Sequence, residues 1–204
     1  MRLHYSPFSS NSRRARLAAA QLGADVELVL VDLAKGEQRS PAFLHLNPSG
    51  RVPVLEDGDF VLPESQAIMQ YLADSTPGQT LYPTALRERA EVNRWMFWCA
   101  HHFQPAISVF NWEHAVKAFL GLGAADPAEL QRGERLFGDC ARVLDAHLAE
   151  REWICGSALS LADLSVAAPL MYIAQARLPV EPYAHMRAWF DRVQGLEAWA
   201  NTAT

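Results

Sequence analysis

Three short stretches of this 204-residue chain carry groups whose type and spacing could do chemistry. In the first, the apolar run Val52 to Leu55 contains Pro53, and a proline donates nothing to a β-ladder, so the backbone before it faces something other than a neighbouring strand. Val52 then offers its N–H and C=O to an extended ligand, and a cis Val52–Pro53 bond, common only before proline, turns them outward. In the second, Glu64 and Ser65 open a helix. Unpaired amides and the helix dipole there favour a carboxylate, and the Glu64 side chain can hold an ammonium. A ligand with a peptide middle and an amino-acid end matches both stretches. In the third, Ser9, Ser10, Asn11 and Ser12 lie between a short strand and the first helix, where small hydroxyl residues serve as N-caps.

The elements that must position these groups follow from pattern. Leu3 to Tyr5 is a strand ended by Ser6 and Pro7, and Ser12 to Leu22 carries the apolar face of a helix closed by Gly23. Val26 to Val31 is a second strand, apolar enough to be central, and Pro41 to Leu46 a short helical turn. The run through Val52, the turn Glu56 to Asp59 and the return Phe60 to Leu62 give two more strands, before a helix from about Glu64 to Ala73. The stretch Asp74 to Pro83 is rich in turn formers, and no convincing strand follows it. A long helix is expected from Thr84 to about His102, with Pro105 kinking or ending it, then a helical piece from about Ala106 to Leu120 and another that Asp126 caps and Pro127 opens. Ser160 and Asp163 have the spacing of a capping box at the head of the apolar run from Leu164, which makes Asp163 a folding residue.

VPVL, a short turn and then PESQAI strongly resemble the glutathione-binding half of cytosolic glutathione transferases, and the likeness extends over essentially the whole chain. It is most like a bacterial, serine-type member, of theta-, zeta- or delta-like kind. The resemblance implies an α/β plus all-α protein: a thioredoxin-like, glutathione-binding domain over 1–75, with its elements in the order βαβ then ββα and a cis-proline before the third strand, a linker over 76–85, and an all-helical domain over 86–204 with an acceptor-substrate pocket. Ser9 falls on the position of the catalytic serine of those classes, where a Ser is followed at four or five residues by Arg, here Arg13 and Arg14. Ser10 is the alternative register, and Tyr5 a rival because other classes use a tyrosine near the end of the first strand. The implied contacts to glutathione are Gln38, Arg51, Val52, Pro53, Glu64 and Ser65, while Gln66 departs from the basic residue found there in some classes.

The implied activity is that of an enzyme that holds the sulfur of glutathione, its co-substrate, as a thiolate for attack on a small electrophile. A free thiol has a pKa near ~8.5 and its thiolate is the nucleophile, so a serine O–H donated to the sulfur, with the helix N-terminus behind it, supplies what is needed. The same thiolate serves a glutathione-dependent isomerase, peroxidase or thiol reductase, and a non-catalytic binding or regulatory protein could keep the fold. A homodimer is expected. The second substrate is not legible; Trp95, Trp98, His102, Phe103, Phe110 and Trp112 could line its pocket or fill the core.

Composition narrows the partners. With 50% apolar residues and a formal charge of −5, neither a nucleic acid nor an anionic membrane is expected, and the cluster Arg13, Arg14 and Arg16 is too short to argue otherwise. Cys99, Cys140 and Cys155 are odd in number and lack metal spacing, and adjacent His101 and His102 point apart on a helix, so no metal is expected. The start of the chain lacks the apolar core of a signal peptide, which makes the cytoplasm the expected location.

Overall fold

The computed structural model describes residues 1–203 and divides the chain into two compact units, one of Met1–Pro83 together with the stretch that begins at Gly195, the other of Thr84–Gln194. In the first, β1 (Arg2–Tyr5), α1 (Ser10–Leu22), β2 (Glu27–Leu30), α2 (Pro41–Leu46), β3 (Val54–Asp57), β4 (Phe60–Pro63) and α3 (Ser65–Asp74) follow one another. The sheet has the order β2-β1-β3-β4, with β1 and β2 parallel and β3 antiparallel to both of its neighbours. This is the thioredoxin-like arrangement.

Two apolar layers hold the sheet, because successive residues of a strand face opposite sides. Leu3 pairs with Leu55, and both pack with Ala15 and Ala19 of α1 and Ile68 and Leu72 of α3. Val54, one residue earlier, faces the other way and packs with Val31, Val52 and Phe43 of α2. Each helix is therefore amphipathic toward one layer only. The second strand departs from expectation: β2 is an edge strand, not a central one, and Leu28 and Leu30 are 46% and 59% exposed. Its continuous apolar run reads as two buried faces, but β1 pairs it on one side only.

The second unit is helical. The expected helix from Thr84 appears as α4 (Leu86–Trp98), which passes through a π-helical stretch, Cys99–Phe103, into α5 (Gln104–Phe110). Pro105 does not stop the helical path. The backbone N–H of Gln104 donates to the Cys99 carbonyl, and this wider turn relieves the clash between a proline ring and the preceding turn. A second π-helical stretch, Asn111–Val116, leads to α6 (Lys117–Leu120), and α7 (Pro127–Leu148) starts with the Asp126 side chain accepting from the Ala128 N–H. The remaining helices are α8 (Leu161–Ala167), α9 (Ile173–Ala176) and α10 (Ala184–Gln194), and α11 (Glu197–Asn201) lies in the first unit. Asp163 accepts from the backbone N–H of Ser160 at 2.9 Å and of Ile154 at 2.8 Å, from the Ser160 hydroxyl at 2.8 Å and from the Trp189 indole at 2.9 Å. Burial pushes its carboxyl up while these four donors pull it back. Among the described residues no helix is long and apolar enough to cross a membrane, and no group of His, Cys, Asp and Glu has the arrangement to hold a metal.

Candidate active site

The first unit brings the three stretches to the ends of its elements. Ser9 is the N-cap of α1, with extended backbone (φ −106°, ψ 117°), and its Oγ accepts from the Ser12 N–H at 3.2 Å. Ser12 is buried, and its own hydroxyl accepts from the Ser6 N–H at 3.2 Å, which pins the loop between β1 and α1. The Ser9 oxygen thus takes the helix amide with a lone pair, leaving its single proton to be donated outward. Capping and donation to a ligand are compatible in one side chain. Ser10 is the first residue of α1 and half-buried. Tyr5 ends β1, and its ring packs under the Arg16 guanidinium, 4.7 Å from the ring centroid.

Val52 and Pro53 join through a cis peptide bond, and the pairing of β3 with β1 begins after them, at Val54 with His4. The Val52 side chain is buried under α2, which holds this piece of backbone in place. Arg51 is exposed, and its carbonyl accepts from the Asn47 side chain at 2.8 Å, so the loop before the proline is anchored too. Gln38 sits in a short 3-10 turn, Glu37–Arg39, and its side-chain oxygen is enclosed with no hydrogen-bond partner among the described residues.

At the head of α3, Glu64 is the N-cap with a positive φ, 74°, and ψ 107°, and it is exposed. Ser65 follows as the first helical residue and is buried. Non-glycine residues avoid positive φ, and those held there cluster at ligand clamps. The structure also links two of the stretches, since Arg14 of α1 donates to the Ser65 Oγ at 2.9 Å and to the Asn11 Oδ1 at 2.7 Å.

The three arginines of α1, by sequence a basic cluster too short to argue for an anionic partner, are all buried. Arg13 lies 3.8 Å above the Trp199 ring and donates to the Trp199 carbonyl at 3.0 Å, and Arg16 donates to the Thr202 carbonyl at 3.2 Å. Burial pushes the Arg16 guanidinium below its ordinary value. No local signal marks their burial, because Ser65, Trp199 and Thr202, which take their hydrogen bonds, lie far away in the chain. The aromatic candidates for an acceptor pocket fall mainly into the core of the second unit: Trp95, Phe103 and Phe110 are buried, with Trp98 stacked on Phe103 at 5.3 Å. Trp112 and His102 are exposed.

The first unit thus joins a thioredoxin-like sheet to a cis-proline before β3, a serine capping α1 and a Glu-Ser pair at the head of α3, and a helical unit follows it in the chain. The family model for the glutathione S-transferase N-terminal domain matches residues 1–74, and that for the glutathione S-transferase C-terminal domain matches residues 127–192. The chain belongs to the glutathione S-transferase family. It is 32% identical to glutathione S-transferase F10 of Arabidopsis thaliana, over 96% of this chain and 93% of that protein. Glutathione transferase F7 from Populus trichocarpa superposes with a TM-score of 0.91 at 29% identity, over 98% of this chain and 96% of that one. Glutathione S-transferase I from maize, solved in complex with an atrazine glutathione conjugate, has a TM-score of 0.88 at 28% identity, over 98% of this chain and 95% of that one. These are plant proteins, and they do not support the bacterial, theta-, zeta- or delta-like affiliation expected from the Ser9 and Arg13 spacing. Four residues of local pattern are too few to separate classes that share one fold.

Proposed function

We propose that this glutathione transferase holds glutathione in its first unit, with the peptide backbone along Val52 and Pro53, the amino-acid end at Glu64 and Ser65, and the sulfur facing Ser9. The backbone of Glu64 carries this reading. A non-glycine residue at φ 74° keeps an exposed carboxylate at a helix N-terminus, so an anionic and a cationic partner are offered side by side, as a zwitterionic amino-acid end requires. Gln38, in the 3-10 turn Glu37–Arg39, and Arg51, next to Val52 in the chain, suit the remainder of the peptide and its glycine carboxylate.

In the reaction the thiol of glutathione gives up its proton to solvent, and the thiolate forms a carbon–sulfur bond with the electrophile, expelling a leaving group or adding across a polarised double bond. Lowering a thiol pKa by about 2 units takes about 2.7 kcal/mol, and one charge-assisted hydrogen bond from the Ser9 O–H with the α1 dipole is of that size. The atrazine conjugate bound to the maize neighbour supports conjugation over isomerisation or peroxide reduction as the main chemistry. The reading includes a small electrophilic second substrate, a homodimer and a cytoplasmic location. The test is a panel of aryl halides, isothiocyanates and hydroperoxides assayed with glutathione, alongside a thermal melt. Glutathione at about 100 times its dissociation constant should stabilise the protein by about 2.7 kcal/mol. A melt unmoved by millimolar glutathione, with no turnover on any member of the panel, refutes the reading.

A further inference from the structure

The groups assigned to glutathione stand at the heads of α1 and α3; the opposite ends of the same two helices line a cavity of their own. β3 is antiparallel to both β1 and β4, so those two strands run the same way, and α1 and α3, which return from them, pack side by side in one direction. Their C-terminal ends therefore lie together, about 20 Å from Ser9 at a rise of about 1.5 Å per residue. There Gln21 and Leu22, the last residues of α1, line a cavity of about 230 Å³ together with Thr76, Gly78, Gln79 and Leu81, just beyond α3. A cavity of ~150 Å³ is already enough to hold benzene. Gln21 and Gly78 at its rim are exposed, while Leu81 is buried.

The hydrogen bonds already made at this cavity leave its lining residues mainly acceptors. Thr76 Oγ1 donates its one proton to the Leu72 carbonyl at 2.7 Å, so toward a ligand it can only accept. Tyr82 holds the Gln79 amide at both ends: Nε2 donates to the Tyr82 carbonyl at 2.7 Å, and Oε1 accepts the Tyr82 N–H at 2.8 Å with one of its two lone pairs. The last carbonyls of a helix have no following turn to donate to them, and neither α1 nor α3 has a basic residue in its last turn to offset the negative end of the dipole. The surrounding chain supplies no cation either, since residues 17–34 and 52–86 contain eight Asp and Glu and no Lys, Arg or His.

We propose that this cavity is a binding site for a small primary alkylammonium, whose N–H groups donate to Thr76, Gln79 and the terminal carbonyls of α1 and whose stem lies against Leu22 and Leu81. The acceptors suit the three donors of an ammonium, and the two leucines suit an alkyl chain. No carboxylate lines the cavity, which disfavours calcium or magnesium, whose sites are built on carboxylates. The site is independent of the glutathione assignment, so either can fail without the other.

Backbone amide NMR of the whole protein, titrated with n-butylammonium, tests this. The Leu22, Thr76, Gly78 and Gln79 signals should shift and saturate with a dissociation constant of about 1 to 10 mM, the range open to so small a ligand. Tetramethylammonium, which has the charge and no N–H, and butyrate, which has the stem and the opposite charge, should each bind at least about tenfold more weakly. Gln21→Lys changes an exposed position and tethers a competing ammonium at the rim, so it should weaken n-butylammonium about tenfold without lowering the melting temperature, because a cation in the last turn suits the helix dipole. Gln131→Lys adds the same charge on α7, at an exposed position of the second unit, and should leave the affinity within about twofold. Thr76→Val should lose about tenfold and Thr76→Ser should keep the parent's affinity. Signals that do not saturate, equal binding of n-butylammonium and tetramethylammonium, equal losses in the two lysine variants, or a Thr76→Val variant that binds as the parent does would each overturn the inference.

Discussion

The hydroxyl of Ser9 receives the Ser12 N–H at 3.2 Å and, in the proposed site, donates to sulfur, so Ser9→Ala removes a cap and a charge-assisted bond together. The cap is worth about 1 kcal/mol of stability, and the bond to a charged sulfur about 1.5 to 3 kcal/mol. Conjugation should therefore fall roughly ten- to hundredfold, with glutathione affinity little changed, and the pKa of bound glutathione should rise. The sign follows from what the bond does: it favours the thiolate, so losing it moves the rate profile to higher pH and restores part of the activity in alkali. Thiolate absorbance titrated in the bound complex checks this. If Ser10→Ala or Tyr5→Phe raises that pKa and Ser9→Ala does not, the sulfur contact belongs to the other residue. Tyr5 starts at a disadvantage, because its ring is already packed under Arg16.

Two buried carboxylates hold the helical unit together in opposite electrostatic settings. Asp163 is fully buried and accepts four hydrogen bonds that tie the head of α8 to Ile154 and to Trp189 of α10. Asp163→Ala leaves buried donors without an acceptor, at about 1 to 3 kcal/mol each, so a loss above about 3 kcal/mol is expected in urea unfolding. A variant as stable as the parent would remove Asp163 from its folding role. Glu113 is buried too, and accepts from Lys117 Nζ and from the Asp126 N–H, both at 2.6 Å, fastening the second π-helical stretch to the start of α7. The Lys117 ammonium first, then the Asp126 amide, hold its carboxyl below the usual range. A depressed folded pKa means that the stabilisation is complete above the ordinary carboxylate value and fades as pH falls through the folded one. The stability gap between the parent and Glu113→Gln should accordingly be widest at neutral pH and close on acidification below about pH 4. A gap independent of pH would show that the charge on Glu113 contributes nothing.

At the scale of the molecule, the C-terminal stretch returns to the first unit. Arg13 and Arg16 of α1 take the Trp199 and Thr202 carbonyls as acceptors, and Thr202 in turn donates to the Ala198 carbonyl at 2.8 Å. Ending the chain after Gln194 strips both arginines of these partners and uncovers α1, the helix that Ser9 caps. A charge-assisted hydrogen bond is worth about 1.5 to 3 kcal/mol and a desolvated cation–π contact about 2 kcal/mol, so the first unit should lose several kcal/mol. Differential scanning calorimetry of the shortened chain should show its transition at lower temperature. An unmoved transition would mean that the arginines are satisfied as well by water.

By itself the sequence determined what depends on neighbours a few residues away. Pro53 disqualified Val52 from the ladder, Gly23 and Asp126 marked helix ends, and Ser160 with Asp163 marked a cap, because proline geometry, capping and turn chemistry act within one turn of backbone. The element order of the first unit was legible for the same reason. Only the tertiary structure decided which side of β1 was left for β2, and so made an apolar run an edge strand. It alone turned the aromatic residues Trp95 and Phe103 into core, and carried Arg14 to Ser65 and Arg13 to Trp199, partners 51 and 186 residues apart in the chain. Periodicity says that a side chain is on a face, but what that face meets is settled by the packing of whole elements, whose contacts leave no trace in local pattern.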